Sequence, residues 1–385
     1  ATITTDYNYP IRNIFPEVSP SPAQGWRSVD TSNDEFIRLE YDSVLAQNSE
    51  MLGNSIGIYL GNINFEYCEL EAAPAGGIFN TIATLSAKTG QQGMGFTRNG
   101  DELTVSAAFP GTNSVHWYTY NTLRGSYLKM IDSGAQGVTR IRKILHNSEG
   151  AWRGSGTKTS RLILDGVQPT DPGGDTAAST CEIWSKDLLF VINDVAKYAA
   201  FRIRIPSQNT YEGDFRIGTL LMGHMAWFGR QYSHGRILGT DPNTEVTTSR
   251  SGARRASNLG PSRRSVQLGW VDGVDTSEIG TTPTEPVPNI VSAYTGGGAV
   301  AAPADTPWKV PGLAEALRGA FTPVVYVPSY VRPAAASTDT TFVNRNLFLY
   351  SRLVTPVQVE NILGDEWSSL GEVLTVGTVT LEEEV

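Results

Sequence analysis

The sequence is short of cysteine, histidine, long apolar runs and positive charge, and each shortage narrows what the chain can do. Two cysteines in 385 residues, Cys68 and Cys181, make one bridge at most and no disulfide framework. Both are expected as free thiols packed as small apolar groups. The four histidines, His116, His146, His224 and His234, form no HExxH and no pair four residues apart. Ligands at zinc or facial-triad spacing are missing, so no metal or organic cofactor is expected. His224 reads as a packed or hydrogen-bonded residue. The most apolar runs, Leu188–Ile192 and residues 219–228, fall far short of the ~20 residues of a spanning helix, and no membrane insertion is expected. No basic-then-apolar signal pattern opens the chain, and Ala1 fits removal of an initiator Met. A net charge of −9 argues against a general nucleic-acid binder. GxSxG, Walker A and GxGxxG are all missing. Gly154–Thr159 has the wrong spacing for a phosphate loop and reads as a turn.

What the chain does have is strand and turn material. It carries 39 Gly, 21 Pro, 15 Tyr and 8 Trp, with 40% hydrophobic and 18% charged residues. That is enough apolar content for a large core and too little charge for a disordered chain. Alternation is clearest in three runs. Phe36–Tyr41 places Ile37, Leu39 and Tyr41 on one side, with Phe36, Arg38 and Glu40 on the other. Phe201–Ile205 turns Arg202 and Arg204 outward. Arg264–Trp270 puts Val266, Leu268 and Trp270 inward. In 53–61, Ile56, Ile58 and Leu60 share a face, and Gly53, Gly57 and Gly61 lie opposite, where another backbone can approach. Strands with one buried face each predict a mainly β fold, an antiparallel β-sandwich of jelly-roll or discoidin-like type with long loop insertions and few short helices.

The organisation expected from this pattern has four parts. Residues 1–75 and 181–280 form the sandwich body, and 76–180 are inserted loops or a subdomain. Residues 281–310, with Gly296–Gly298 and clustered prolines, read as an arm. Residues 311–385 supply a helix, best placed at Pro311–Arg318, and strands returning to the body. Ile78–Leu85 is a second candidate for a short helix.

The most unusual stretch is Arg250–Arg264. Arg250, Arg254, Arg255, Arg263 and Arg264 occur with no acid between Glu245 and Asp272. Guanidinium forks suit carboxylates, so the expectation is a loop contacting a neighbouring subunit. A nucleic-acid patch and pairing with acids of the same chain are the alternatives. Aromatics cluster at Trp117 and Tyr118, and at Trp227 and Tyr232. They serve either as core or as an exposed surface for sugars or another subunit. The carboxylate pairs Asp241/Glu245 and Asp272/Asp275 are what a glycoside hydrolase would draw on, although loop spacing does not define a catalytic separation.

The order of strand patterns carries a family resemblance. Trp26–Ser28, Ser55–Phe65 (SIGIYLGNINF) and Tyr198–Ile205 (YAAFRIRI) look like strands of a discoidin-like, galactose-binding-type sandwich. Phe215–Gly223, the Ser-Arg-Ser-Gly-Ala-Arg segment 249–254, the returning Arg263–Trp270, and Phe348–Arg352 with Trp367 and Glu382–Glu384 resemble tail and baseplate structural proteins of tailed bacteriophages. The likeness covers about half the chain, and 74–180 and 280–310 have no counterpart. It implies a non-enzymatic virion subunit that meets copies of itself and other virion proteins, assembled in the host cytoplasm. A carbohydrate-binding adhesin that contacts host surface glycan is the alternative it implies, and a glycoside hydrolase stands third.

Overall fold

The computed structural model describes residues 25–40, 56–88, 95–107, 123–132, 138–149, 158–173, 179–192 and 198–227. Beyond these it describes 236–241, 244–248, 250, 254–258, 263–269, 288–292, 323–327, 349–354, 359–361, 374–376 and 378–384. Among the described residues every regular element is a strand.

The largest sheet has nine strands. Its order is β12 (Leu188–Ile192), β3 (Ile56–Gly61), β15 (Thr219–Trp227), β20 (Pro288–Ser292), β21 (Val324–Val327), β22 (Leu349–Leu353), β25 (Thr378–Glu383), β19 (Arg263–Gly269) and β16 (Arg236–Asp241). A four-stranded sheet, β2 (Glu35–Glu40), β13 (Ala200–Ile205), β4 (Tyr67–Ala73) and β5 (Asn80–Ser86), shares a core with it. Ile58, Leu60, Leu188, Phe190 and Leu220 from the first sheet meet Ile37, Leu39, Leu70, Phe201, Ile203 and Ile205 from the second. Two sheets joined by one apolar layer make a mainly β, sandwich-like fold. The short pair β1 (Trp26–Arg27) and β14 (Arg216–Ile217) adds Trp26 and Ile217 to that layer.

The alternation read in the sequence is what builds the four-stranded sheet. Phe201, Ile203 and Ile205 are fully buried, while Arg202 and Arg204 stand on the outer face. There Arg202 pairs with Glu71, and its guanidinium lies 4.6 Å from the Phe36 ring and 4.4 Å from that of Phe79. Arg204 bridges Asp34 at 2.7 Å and Glu69 at 3.0 Å.

Residues 96–184 form a third, six-stranded antiparallel sheet. Its order is β11 (Ser179–Trp184), β8 (Tyr127–Asp132), β9 (Thr139–Glu149), β10 (Lys158–Leu164), β7 (Glu102–Ala107) and β6 (Phe96–Asn99). It encloses a core of its own from Phe96, Leu103, Leu128, Met130, Ile144, Leu162, Cys181 and Ile183. Tyr127, Ile141 and Trp184 reach across into the sandwich core. Lys129 reinforces that junction: it meets Glu66 at 3.0 Å and Glu182 at 3.3 Å, and stacks 5.2 Å from the Trp184 ring. Cys68 and Cys181 are free and buried in the two separate cores, and burial pushes the Cys181 thiol up to about 12.

Two expectations meet a different outcome. Residues 80–86 are β5 and not a helix, because β4 offers them a ladder partner from Cys68↔Leu85 to Ala72↔Asn80. Residues 288–292, read as part of an arm, form β20, which runs parallel to both β15 and β21. Pro288 is tolerated because it is the strand's first residue. The helix at Pro311–Arg318 lies outside the described residues. The remaining pairs are β17 (Thr244–Thr248) with β18 (Arg254–Asn258), and β23 (Val359–Asn361) with β24 (Leu374–Val376).

Candidate site: a charged pocket on the nine-stranded sheet

A pocket of about 170 Å³ opens where β3, β15, β19, β22 and β25 meet the Lys186–Asp187 turn. Its walls come from Tyr59, Gly61, Asn62, Lys186, Asp187, Thr219, Arg264, Tyr350, Glu383 and Glu384. Strand parity places these groups. Ile58 and Leu60 point into the sandwich, so Tyr59 points to the other face. There its ring lies over Gly61: a Cβ built on that glycine would sit 2.6 Å from the phenol oxygen. The space expected to admit another backbone is taken by Tyr59. Gly61→Ala is accordingly expected to displace the ring and lower stability by about 1–3 kcal/mol. An unchanged urea midpoint would show that the ring has somewhere else to go.

Asn62 follows at a left-handed φ of 54°, which bends the chain so that its N–H turns back toward Asp187. Tyr59 Oη donates to Asp187 Oδ1 at 2.9 Å, and the Asn62 N–H donates to the same oxygen at 3.3 Å. Burial pushes the Asp187 carboxyl above its ordinary value, against the pull of Lys186 and Arg264. Burial, then Asp187, holds the Tyr59 phenol well above its own, so at neutral pH it stays protonated and serves as the donor.

The cationic side of the pocket is Arg264. Its Nε and Nη2 donate to Glu383 Oε1 at 3.0 and 2.5 Å, and its backbone N–H donates to Oε2 at 3.0 Å. The pair faces across β19 and β25, one step along from Ser265↔Glu382. Burial alone would raise the Glu383 carboxyl; Arg264 and Lys186 outweigh it and bring it down to about 2. Neighbouring acids of the same strand are also held. Glu382 meets Arg263 at 3.2 Å, and Glu384 meets Arg352 at 2.7 Å.

The five arginines singled out from the sequence therefore separate. Arg264 departs from the expected subunit contact, because it turns into the pocket to neutralise Glu383, and Arg263 pairs with Glu382 of its own chain. Arg250 and Arg254 are exposed, and neither makes an ion pair among the described residues. Arg255 lies on β18, but its side chain is outside what is described. Trp117, Tyr118 and Tyr232 lie outside the described residues, and Trp227 ends β15 with its side chain likewise outside. Of the carboxylate pairs, Asp241 ends β16 and Glu245 is exposed on β17, while Asp272 and Asp275 are not described.

β17 and β18 stand apart from every larger sheet. The chain leaves the nine-stranded sheet at Asp241 and re-enters it at Arg263, and among the described residues the two strands between these points pair only with each other. Glu245, Val246, Thr247, Thr248, Arg254, Ala256 and Ser257 are all exposed, so both faces of the ribbon meet solvent. Val246 is 57% exposed. No protein-family model and no curated protein sequence matches the chain. The likeness to tail and baseplate proteins stands on the order of the strand patterns alone.

Proposed function

We propose that the protein is a structural subunit of a bacteriophage virion, in the tail or baseplate, that joins copies of itself through the β17–β18 ribbon. The observation that carries the assembly reading is the ribbon itself. A two-stranded hairpin with neither face packed is marginal in water, and this one carries an exposed valine at its centre. A neighbour that covers it supplies the missing burial. Residues 244–258 hold Arg250, Arg254 and Arg255 against one acid, Glu245, in a chain of net charge −9. The ribbon is thus a cationic element on an acidic protein, and a second copy offers the complementary surface. The virion reading is supported by the strand-order resemblance alone, which implies a non-enzymatic subunit of an assembled particle.

Arg250→Ala with Arg254→Ala is the test. The double variant is expected to assemble less well by light scattering and negative-stain microscopy, with the defect largest at low salt and shrinking as salt screens the wild-type contact. Its melting temperature as an isolated subunit should stay within about 2–4 °C, since exposed substitutions shift stability little. Normal assembly at every ionic strength would remove the ribbon from the interface. A monomeric wild type at all concentrations would remove the assembly reading altogether.

A further inference from the structure

The pocket contains hydrogen-bonding capacity that the fold does not use. Asp187 is only 4% exposed, and Oδ1 takes both of its donors, from Tyr59 and Asn62. Oδ2 has no hydrogen-bond partner among the described residues, and it is not one of the fully enclosed unpartnered atoms, so it is open to the pocket. Lys186 Nζ stands 3.7 Å from Glu383 Oε1, close enough for ion pairing and too far for a hydrogen bond. The Thr219 hydroxyl, on a residue 4% exposed, likewise has no partner among the described residues. Acceptor, donor and hydroxyl line one pocket, beside the Tyr350 side chain.

We propose that this pocket binds a small neutral polyhydroxy ligand, a single sugar ring, through Asp187 Oδ2 and Lys186 Nζ. The lining chemistry selects that class. Among the described lining residues three acids, Asp187, Glu383 and Glu384, outnumber two cations, Lys186 and Arg264, which disfavours an anion. Both cations face Glu383, and among the described residues no cluster of ligand side chains could hold a metal ion. A sugar hydroxyl both donates and accepts. Vicinal hydroxyls can therefore donate to Asp187 while accepting from Lys186, leaving a C–H face for the Tyr350 side chain. At about 170 Å³ the pocket lies below the about 300–1,000 Å³ typical of sites for larger ligands, which limits the ligand to one ring. This site goes beyond the assembly reading and does not depend on it.

The test is ligand-observed NMR and calorimetry on the full chain, using methyl glycosides of glucose, galactose, mannose, N-acetylglucosamine and rhamnose. Glucuronate and inorganic phosphate serve as charged comparators. At least one neutral glycoside is expected to bind, and the charged probes are not. Lys186→Gln, on a partly exposed side chain, should weaken that binding about tenfold, the loss of one hydrogen bond to a charged group. Asp187→Asn should do the same, and because Lys186→Gln leaves the buried acid intact, a folding defect in one variant does not excuse the other. No binding by any glycoside overturns the proposal. So does binding that both variants leave unchanged, or a preference for phosphate.

Discussion

Arg264→Ala is expected to destabilise the protein by about 3 kcal/mol, the low end of the cost of stranding one partner of a buried ion pair, because both side chains keep some contact with solvent. Three donors converge on Glu383, all of them from Arg264. Without the guanidinium, Glu383 and the buried Asp187 are left with Lys186 as the one lining cation among the described residues, 3.7 Å from Glu383. Arg263→Ala, one residue away, is the internal control. Its partner Glu382 is matched to a side chain 47% exposed, and such pairs contribute about 1 kcal/mol or less. Adjacent arginines with effects several-fold apart, read from urea midpoints at unchanged slope, would establish that parity sets their roles. Arg264→Met combined with Glu383→Leu should recover most of the loss, since removing both charges removes the stranded one. A single-variant cost below about 1 kcal/mol would reduce this pair to a surface bridge.

The sandwich was legible because its strands have one wet face. Phe201, Ile203 and Ile205 alternate with arginines, and period two decides both the strand and its orientation. The six-stranded sheet was harder to read. In β9 the inward residues are Ile141, Ile144 and Asn147, a spacing of three that hides the strand. The strand changes partner at that point, from β8 up to Lys143 to β10 from Ile144 onward. Asn147 occupies an inward position because its side-chain oxygen accepts the buried Leu123 N–H at 2.8 Å. No hydropathy pattern marks such a role. β20 was obscured for another reason: five residues of strand lie inside a stretch whose prolines and glycines dominate its composition.

The pocket was half written in the same alternation. If Val266 points inward, Arg264 shares its parity, and the five arginines of the acid-free stretch cannot all be surface charges. On β25, Leu381 and Glu383 share a face in the same way, and Leu381 is 3% exposed. What no local pattern supplies is the register that sets Val266 opposite Leu381 across more than a hundred residues, and with it Arg264 beside Glu383. Lys186 and Asp187 belong to a turn, where parity says nothing. Their place follows from the backbone bond of Ile63 N–H to Lys186 carbonyl at 2.9 Å.

Acid titration should separate the two buried carboxylates, because they act in opposite directions. Glu383 has its folded value depressed from 4.5 to about 2. Its contribution is therefore complete above about 4.5 and is lost as the pH falls toward 2, a total of about 3 kcal/mol. Asp187 is raised by burial. Its charge is costly in the folded state, so protonating it favours folding as the pH falls toward 3.8, ahead of most of the Glu383 loss. Glu383→Gln should begin less stable at neutral pH and then show the flatter profile between pH 4.5 and 2, since the proton-linked loss is gone. Asp187→Asn keeps an acceptor for Tyr59 and removes this proton uptake, so it should lack the gain that the wild type shows as the pH falls toward 3.8 and run parallel to it below. Other depressed acids, such as Glu66 beside Lys88 and Lys129, contribute equally to all three proteins and cancel in the comparison. Parallel profiles for wild type and Glu383→Gln would mean that Arg264 does not hold Glu383 charged in the fold. The pocket's ion pair would then be an ordinary surface contact.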